Sequence, residues 1–480
     1  MKAPAPWDGV PSQDQLFVLV TGANSGIGLG IAQQLVDVFL TQRSPSAHLV
    51  LVVTTRSQAK SRATLEAVRG HLRGRGGGSS AAARIHLVGV ELDLCRLPTV
   101  YAAAEQLIHG GVDVFTAHNS GSLANETPTR ACLPRLDVAI FNAGIGGWTG
   151  FSIGGMMVQL ATAGLLQSLT FPSYKLALAG QLVDPLTGKR ANGESSDSLL
   201  GEVFCANVFG HYLLAHALLP LLRRPSGTDD GLPAARIVWE SSVEAYCWDA
   251  LAVEDLQGVR TTAAYESSKR LTDVLALTSG LPGVRRLSGQ FLGEGEKENE
   301  NEIETNSTSN NLPRQYVTHP GVVCSSLFPL PQLLFYLYYI AMYIARWAGS
   351  PWHPVTAYNG ATAAVWVALQ PADALEAAQA DKVKWGACVT RSGRAVVKRT
   401  EVEGWGWQGD VDSSDSRDKG DNSTIIGYLR NSVGRRAGAT TLTAERRQDF
   451  EALGRTCWQE MERLRRVWED KLACSRQKGH

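Results

Sequence analysis

The chain has 480 residues, enough for one large or two ordinary domains with a substantial core. Its 46 basic residues balance 46 acidic ones, so no global field favours nucleic acid, and its first fifteen residues lack the apolar stretch of a secretory signal. Eight cysteines stand singly, with no CxxC pair and no metal-ligand spacing; they read as reduced thiols of a cytosol-facing protein without a metal site, in which the sequons at Asn125, Asn306 and Asn422 are accidental.

Leu16 to Val20 is a short apolar run of the kind that forms a buried parallel strand, and it leads into Thr21-Gly22-Ala23-Asn24-Ser25-Gly26-Ile27-Gly28. An amphipathic helix is predicted over Leu29 to Leu40. Strand, glycine turn and helix together form the setting in which such glycines hold a dinucleotide. Gly22 permits the tight turn, Gly26 lets the backbone approach a pyrophosphate, and Gly28 allows close packing of helix on strand. The helix N-terminus offers phosphates free N–H groups and a positive dipole end. A glycine turn without a ligand is the plain alternative.

The next strand, His48 to Thr54, ends in Thr55-Arg56-Ser57. An NAD-binding fold would place Asp or Glu there. Arg56 instead suits a 2′-phosphate, held through paired charge-assisted bonds, unless it is an ordinary surface arginine. A third strand, Arg84 to Leu92, ends in Asp93-Leu94, where Asp93 either accepts from an adenine amino group or caps a helix. Residues 109–132 are polar and read as a surface insertion. Leu136 to Phe141 is the fourth strand and runs into Asn142-Ala143-Gly144, a turn that lines a cofactor floor. From Ile145 to Tyr174 there is no charged residue. That stretch is too interrupted to span a membrane, and it forms either the wall of an apolar pocket or a core segment.

Leu199 to Leu222 predicts one long helix with Asn207 in its middle, where a buried amide usually holds a water or bends the helix. Arg236 to Glu240 is the fifth strand, followed by Ser241-Ser242; a hydroxyl there either donates to a substrate carbonyl or caps the strand. In Tyr265-Glu266-Ser267-Ser268-Lys269 the phenol and the ammonium stand one helical turn apart on one face. A free phenol has a pKa of about 10. A neighbouring cation lowers it and makes proton exchange feasible near neutral pH, although Tyr and Lys also fall four apart by chance on solvated helices.

Gly293 to Asn311 is acidic and apolar-poor, the composition of a disordered insertion. A strand near Tyr316 to Thr318 delivers His319-Pro320-Gly321. After Pro329 and Pro331, an apolar helix from Gln332 to Ala345 would reach about 20 Å, short of the roughly 30 Å bilayer core. Its tyrosines and the closing Arg346 suit an interface, so the segment lies on a membrane or covers an apolar pocket, with an ordinary buried helix as the alternative. Asn359 to Leu369 is the last core helix, Lys384 to Val389 a seventh strand at the sheet edge, and Glu401 to Asn422 a polar linker. Thr443 to Cys474 carries Phe450, Leu453, Cys457, Met461, Leu464, Trp468 and Leu472 at spacings of three and four. That is an amphipathic helix that packs on the core or binds a partner.

Taken in order, TGANSGIG, Asp93-Leu94, Asn142-Ala143-Gly144, Asn207, Ser241-Ser242 and YESSK make residues 14–400 resemble the short-chain dehydrogenase/reductase family. The resemblance implies an α/β fold: a doubly wound, mainly parallel Rossmann-type sheet with helices on both faces. Insertions are expected near 109–132, 145–195, 286–313 and 327–350, then a linker over 401–442 and a helix over 443–474. It implies Ser242, Tyr265 and Lys269 as a catalytic triad, with Ser242 preferred to Ser241 because the family's serine is the second of such a pair. Asn207 becomes the residue that holds a proton-relay water. NADPH is expected against Thr21, Gly22, Asn24, Ser25, Gly26, Ile27, Gly28, Arg56, Asp93, Asn142, Ala143, Gly144, Tyr265, Lys269, Pro320, Gly321, Val322 and Ser325. One departure is the separation of Ser242 and Tyr265, which is 23 residues where the family has little over a dozen; Glu244 to Val259 is extra loop.

Four segments resemble fungal 3-keto-steroid reductases more narrowly: Gly201 to Tyr212, Ile237 to Ser242, His319 to Val323, and Ala357-Tyr358-Asn359-Gly360. That resemblance implies reduction of a sterol 3-ketone, left after C4 decarboxylation, to the 3β-alcohol in ergosterol-type synthesis. It also implies a membrane surface and other sterol-biosynthetic enzymes as partners, on the cytosolic face of the endoplasmic reticulum or on lipid droplets. The alternatives are a 17β-steroid or retinoid reductase, or a membrane scaffold for sterol enzymes.

Overall fold

The apolar runs near the start of the chain become strands buried on both faces, as a parallel sheet covered by helices requires. A computed structural model describes residues 4–75, 78–117, 123, 126–191, 197–224, 231–246, 248–293, 311–324, 332–411 and 434–478. Among them the strands are β1 (Gln15–Thr21), β2 (His48–Thr55), β3 (Ile85–Glu91), β4 (Val112–Thr116), β5 (Thr129–Ala131), β6 (Val138–Phe141), β7 (Trp148–Phe151), β8 (Lys175–Ala177), β9 (Leu182–Asp184), β10 (Lys189–Ala191), β11 (Leu200–Gly201), β12 (Arg236–Glu240), β13 (Arg314–His319), β14 (Lys384–Val389) and β15 (Ala395–Thr400).

Ten of these form one sheet in the order β15-β14-β13-β12-β6-β1-β2-β3-β4-β5. It is parallel from β14 to β3 and antiparallel at both ends. Val18 of β1 pairs with Leu51 on one side and Val138 on the other. Strand order reverses between β1 and β6, so the loops leaving their C-terminal ends diverge and open a crevice.

Helices Gly26–Gln42 and Thr362–Leu369 cover one face of the sheet, burying Ile31, Leu35, Phe39 and Val365. Leu97–Glu105, Gly210–Ala217 and Ala264–Thr278 cover the other. Helix Ala444–Lys478 lies over that second face and buries Phe450, Trp458 and Met461, each contributing about 1.5–3 kcal/mol. Its attachment is also polar: Tyr212 donates to Glu462 at 2.6 Å, and the Trp458 indole to the Leu275 carbonyl at 3.3 Å. The C-terminal helix therefore packs on the core.

Several expectations need correction. Residues 109–132 are not merely a surface insertion: β4 and β5 extend the sheet with Val112, Val114 and Ala131 buried, strands too short for their alternation to stand out. Leu199 to Leu222 is not one helix but β11, a helical turn at Glu202–Phe204, a π turn at Cys205–Phe209, and helices Gly210–Ala217 and Leu219–Leu222. Lys384–Val389 is not the edge strand, because β15 pairs outside it. In the expected 401–442 linker the described residues pack on the core, with Val402, Trp405 and Leu442 buried and Arg435 paired with Glu401 at 2.6 Å, while residues 412–433 lie outside the described residues. The last core helix is broken at Ala361. Most of Gly293 to Asn311 lies outside the described residues, as does Ser325.

Candidate active site

The crevice at the strand-order reversal is built on the turn after β1. Gly26 has φ +52°, and a Cβ there would meet nothing within 4 Å, so its backbone faces open space. Gly28 is the opposite case: a Cβ would fall 2.3 Å from the Gly22 carbonyl and 2.6 Å from Asn142 Nδ2, so only glycine lets the helix sit this close. Thr21 Oγ1 accepts the N–H groups of Asn142 and Ala143 at 3.0 and 3.1 Å, which ties the β1 turn to the β6 turn. With its lone pairs used, that hydroxyl donates to His211 Nε2 at 2.8 Å. His211 is fully buried, and burial lowers its pKa to about 3, so the ring is neutral and its Nδ1–H faces the Asn207 carbonyl. No motif of the sequence singled out His211.

The crevice holds about 350 Å³ and is lined by Gly22, Asn24, Ser25, Gly26, Ile27, Gly28, Arg56, Asp93, Asn142, Ala143 and Gly144. Arg56 is exposed at its rim. Asp93 also accepts the Cys95 N–H at 3.0 Å, so its carboxylate orders the turn it sits on. An open, glycine-built backbone and a helix N-terminus fit the pyrophosphate of a dinucleotide, with a guanidinium at the rim.

The residues expected at the reacting end converge from three elements. Ser241 and Ser242 follow β12, and Tyr265 and Lys269 lie on helix Ala264–Thr278. Ser241 turns its hydroxyl onto the Lys269 carbonyl, 3.2 Å away. Ser242 Oγ accepts the Glu244 N–H at 3.1 Å, and Ser242 lines the same cavity as Tyr265. The long loop after Ser242 therefore does not displace it; Asp255 ties the loop's far end by accepting the Val259 and Arg260 N–H groups at 3.0 and 2.8 Å.

The Tyr265 pKa is raised, not lowered as the spacing of Lys269 suggested. Burial pushes the Tyr265 pKa above the ordinary value, Glu244 pushes it further up, and the neighbouring Ser242 hydroxyl pulls the other way. Lys269 Nζ points at the Glu240 carbonyl, 2.7 Å away, and stands 5.8 Å from the Tyr265 ring centre. Burial lowers its own pKa to about 8, against the opposing pull of Glu240 and Asp273. A second lysine, missed in the sequence, grips the same strand end. Lys384 Nζ is 2.7 Å from the Ser242 carbonyl and 2.6 Å from Asp273, and the ion pair is almost wholly buried.

Asn207 sits in the π turn, and its amide makes three hydrogen bonds. Oδ1 accepts the Ile145 N–H at 2.7 Å, while Nδ2 donates to the Ile145 carbonyl and to Ser268 Oγ, both at 3.0 Å. It pairs with the Ile145 backbone as a neighbouring strand would, fixing the chain just after Asn142-Ala143-Gly144.

A second cavity, about 330 Å³, opens over Ser242 and Tyr265. Trp148, Phe151, Met156, Leu160, Leu169 and Tyr174 line one side, and Leu334, Leu337 and Tyr338 another. The charge-free stretch 145–174 is thus a cavity wall. Pro320, Gly321 and Val322, expected against the cofactor, border this cavity, which shares Ile27 with the crevice. The Trp148 and Tyr265 rings lie 4.7 Å apart.

The chain is 42% identical over 484 residues to the 3-keto-steroid reductase of Gibberella zeae, covering 98% of each protein. It is 39% identical over 474 residues to that of Aspergillus fumigatus, covering 95% of each. Among solved structures, a 3-oxoacyl-acyl-carrier-protein reductase from Brucella melitensis in complex with NAD covers 74% of this chain and 89% of its own, at 14% identity and a TM-score of 0.37. No protein-family model matches the chain.

Proposed function

This chain belongs to the 3-keto-steroid reductases of the short-chain dehydrogenase/reductase family, and on that ground we propose that it reduces the C3 ketone of a sterol to the 3β-alcohol with NADPH as reductant. The observation that carries the reading is the Ser242–Tyr265 pair, which opens into an apolar, aromatic cavity adjoining the glycine-built crevice at Ile27. A single ketone on a large apolar skeleton matches two hydroxyl groups at one end of such a cavity.

NADPH, once bound, supplies the hydride. Tyr265 gives its proton to the oxygen that becomes the alcohol; its raised pKa keeps that proton in place at neutral pH until the alkoxide develops. Ser242 hydrogen-bonds the same oxygen, its own Oγ fixed by the Glu244 N–H. Lys269, charged below about pH 8, supplies positive potential beside the phenolate as it forms. Asn207 holds the backbone at Ile145 through both ends of its amide. Arg56 at the crevice rim favours a 2′-phosphate over a bare ribose.

A position on a membrane surface is part of the same proposal. Helix Gln332–Trp347 lines the cavity with Leu334, Leu337, Tyr338 and Ala341 while exposing Leu333, Ile340, Ile344 and Trp347. Ile153, Met157 and Val158 of the neighbouring helix Ile153–Thr170 are exposed as well. Among the described residues no helix is long and apolar enough to cross a membrane. A surface-lying helix that also walls the cavity would let a sterol pass between bilayer and active site.

The test is cofactor consumption with a 3-keto sterol, a 17-keto steroid and retinal side by side, each with NADPH and with NADH. The 3-keto sterol with NADPH should be fastest. Faster turnover of retinal or of the 17-keto steroid would replace the substrate assignment, and a preference for NADH would remove the role given to Arg56.

A further inference from the structure

Lys175 and Glu244 belong to none of the motifs above, yet they meet at the reacting end of the cavity. Lys175 opens β8, which pairs with β7 in the hairpin of the cavity wall, Phe151 opposite Lys175. Glu244 is the second residue after Ser242, at the start of the long loop. The ammonium lies 2.6 Å from both carboxylate oxygens and 3.8 Å over the Trp148 ring. Both side chains are mostly buried, 13% and 15% exposed.

An ion pair in the wall of an apolar cavity pays a desolvation penalty that a pair of apolar side chains would avoid. This pair is closed upon itself: two N–H donors face the carboxylate, and the indole face balances the remaining charge. It therefore offers an apolar substrate no open charge. Each partner leads on to one member of the reacting pair. From Glu244, the backbone N–H donates to Ser242 Oγ at 3.1 Å. From Lys175, the contact runs through Trp148 to the Tyr265 ring, 4.7 Å from the indole.

We infer that the Lys175–Glu244 pair is a latch that positions Ser242 and Tyr265 for reaction by tying the cavity-wall hairpin to the loop after β12. The inference rests on the reductase reading above. Lys175 and Glu244 are positioning residues, acting through Trp148 and through the Glu244 N–H. The latch also gives the long Ser242-to-Tyr265 loop a purpose, since its first turn carries one of the partners.

The experiment compares Lys175→Met, Lys175→Arg, Glu244→Gln and the Lys175→Met/Glu244→Gln double variant in the full chain, with thermal unfolding of each to separate misplacement from loss of fold. The ketone is whichever of the three above the parent reduces best, so the parent scores the substrate reading while the ratio of variant to parent scores the latch. Lys175→Met and Glu244→Gln should each lower kcat at least about tenfold, the scale of a slightly misplaced reacting group, with KM for NADPH unchanged. Lys175→Arg, which keeps both the ion pair and the contact with the indole, should recover most of the rate. The double variant should be no slower than the slower single one. A Lys175→Met enzyme with the parent's kcat overturns the inference, as do losses that multiply in the double variant together with an Arg variant no better than Met.

Discussion

Ser241 and Lys269 are joined by a 3.2 Å hydrogen bond from the serine hydroxyl to the lysine backbone carbonyl, which leaves Ser242 as the serine that shares the cavity with Tyr265. Alternation along an extended chain sends the two hydroxyls to opposite sides, one into the packing of strand on helix and one into the cavity. Ser242→Ala should lower kcat by about 10²–10³, the usual effect of removing one donor to a developing oxyanion. Ser241→Ala should keep the parent's rate and lose about 1 kcal/mol of stability, the worth of one buried hydrogen bond. Steady-state kinetics and denaturant unfolding on both variants check this. Equal rate losses would contradict it.

Lys384 and Asp273 form a buried pair behind helix Ala264–Thr278, and Lys384 also holds the Ser242 carbonyl. Removing one partner leaves an uncompensated charge in the interior. Lys384→Met should therefore destabilise the chain by about 3–5 kcal/mol. Adding Asp273→Leu to it should return part of that loss, because the stranded carboxylate is gone. Urea unfolding measures both, and a double variant less stable than Lys384→Met would show that the pair is not the source of the effect.

The lowered pKa of Lys269 moves activity and stability in opposite directions with pH. Activity that depends on its charge should fall as kcat/KM for NADPH is followed upward through about pH 8, since kcat/KM reports the free enzyme. For stability the sign is reversed. Between about 8 and 10.5 the unfolded chain still holds the lysine proton while the folded one has released it, so this group's contribution rises with pH across that window. The difference in unfolding free energy between parent and Lys269→Met should widen in the parent's favour over that range. A difference that narrows would contradict the assignment.

The exposed side of helix Gln332–Trp347 should carry membrane attachment without carrying catalysis. Leu333, Ile340 and Ile344 face outward and do not line the cavity. Replacing all three by Asp should greatly reduce co-sedimentation with phosphatidylcholine vesicles, because interfacial binding scales with buried apolar area. Turnover of a detergent-dispersed ketone should stay near the parent's rate. Unchanged co-sedimentation would take attachment away from this helix.

Motifs whose chemistry is local were legible in the sequence. The glycine turn, the Asn142-Ala143-Gly144 turn and the Tyr265–Lys269 helix each depend on residues a few positions apart, and the apolar runs gave the central strands within a residue or two. Other features were not legible. The π turn at Asn207 lengthens the α-helical hydrogen bond by only one residue, a shift that the apolar residues around it, Val203, Phe204, Val208 and Phe209, hide. The direction of the Lys269 ammonium depends on the Glu240 carbonyl, which no helical spacing reveals. The latch and the second lysine rest on contacts across 69 and 142 residues, where a sequence shows only an isolated Lys in a short strand.

The central claim is that Tyr265 is the proton donor in an NADPH-dependent ketone reduction. Its most direct test is Tyr265→Phe, assayed for NADPH oxidation with a 3-keto sterol and for NADPH binding by fluorescence titration. The prediction is loss of reduction, by about 10²–10⁴ as expected for removal of a general acid, with NADPH affinity nearly unchanged. A Tyr265→Phe chain that reduces the 3-keto sterol at the parent's rate would contradict the account.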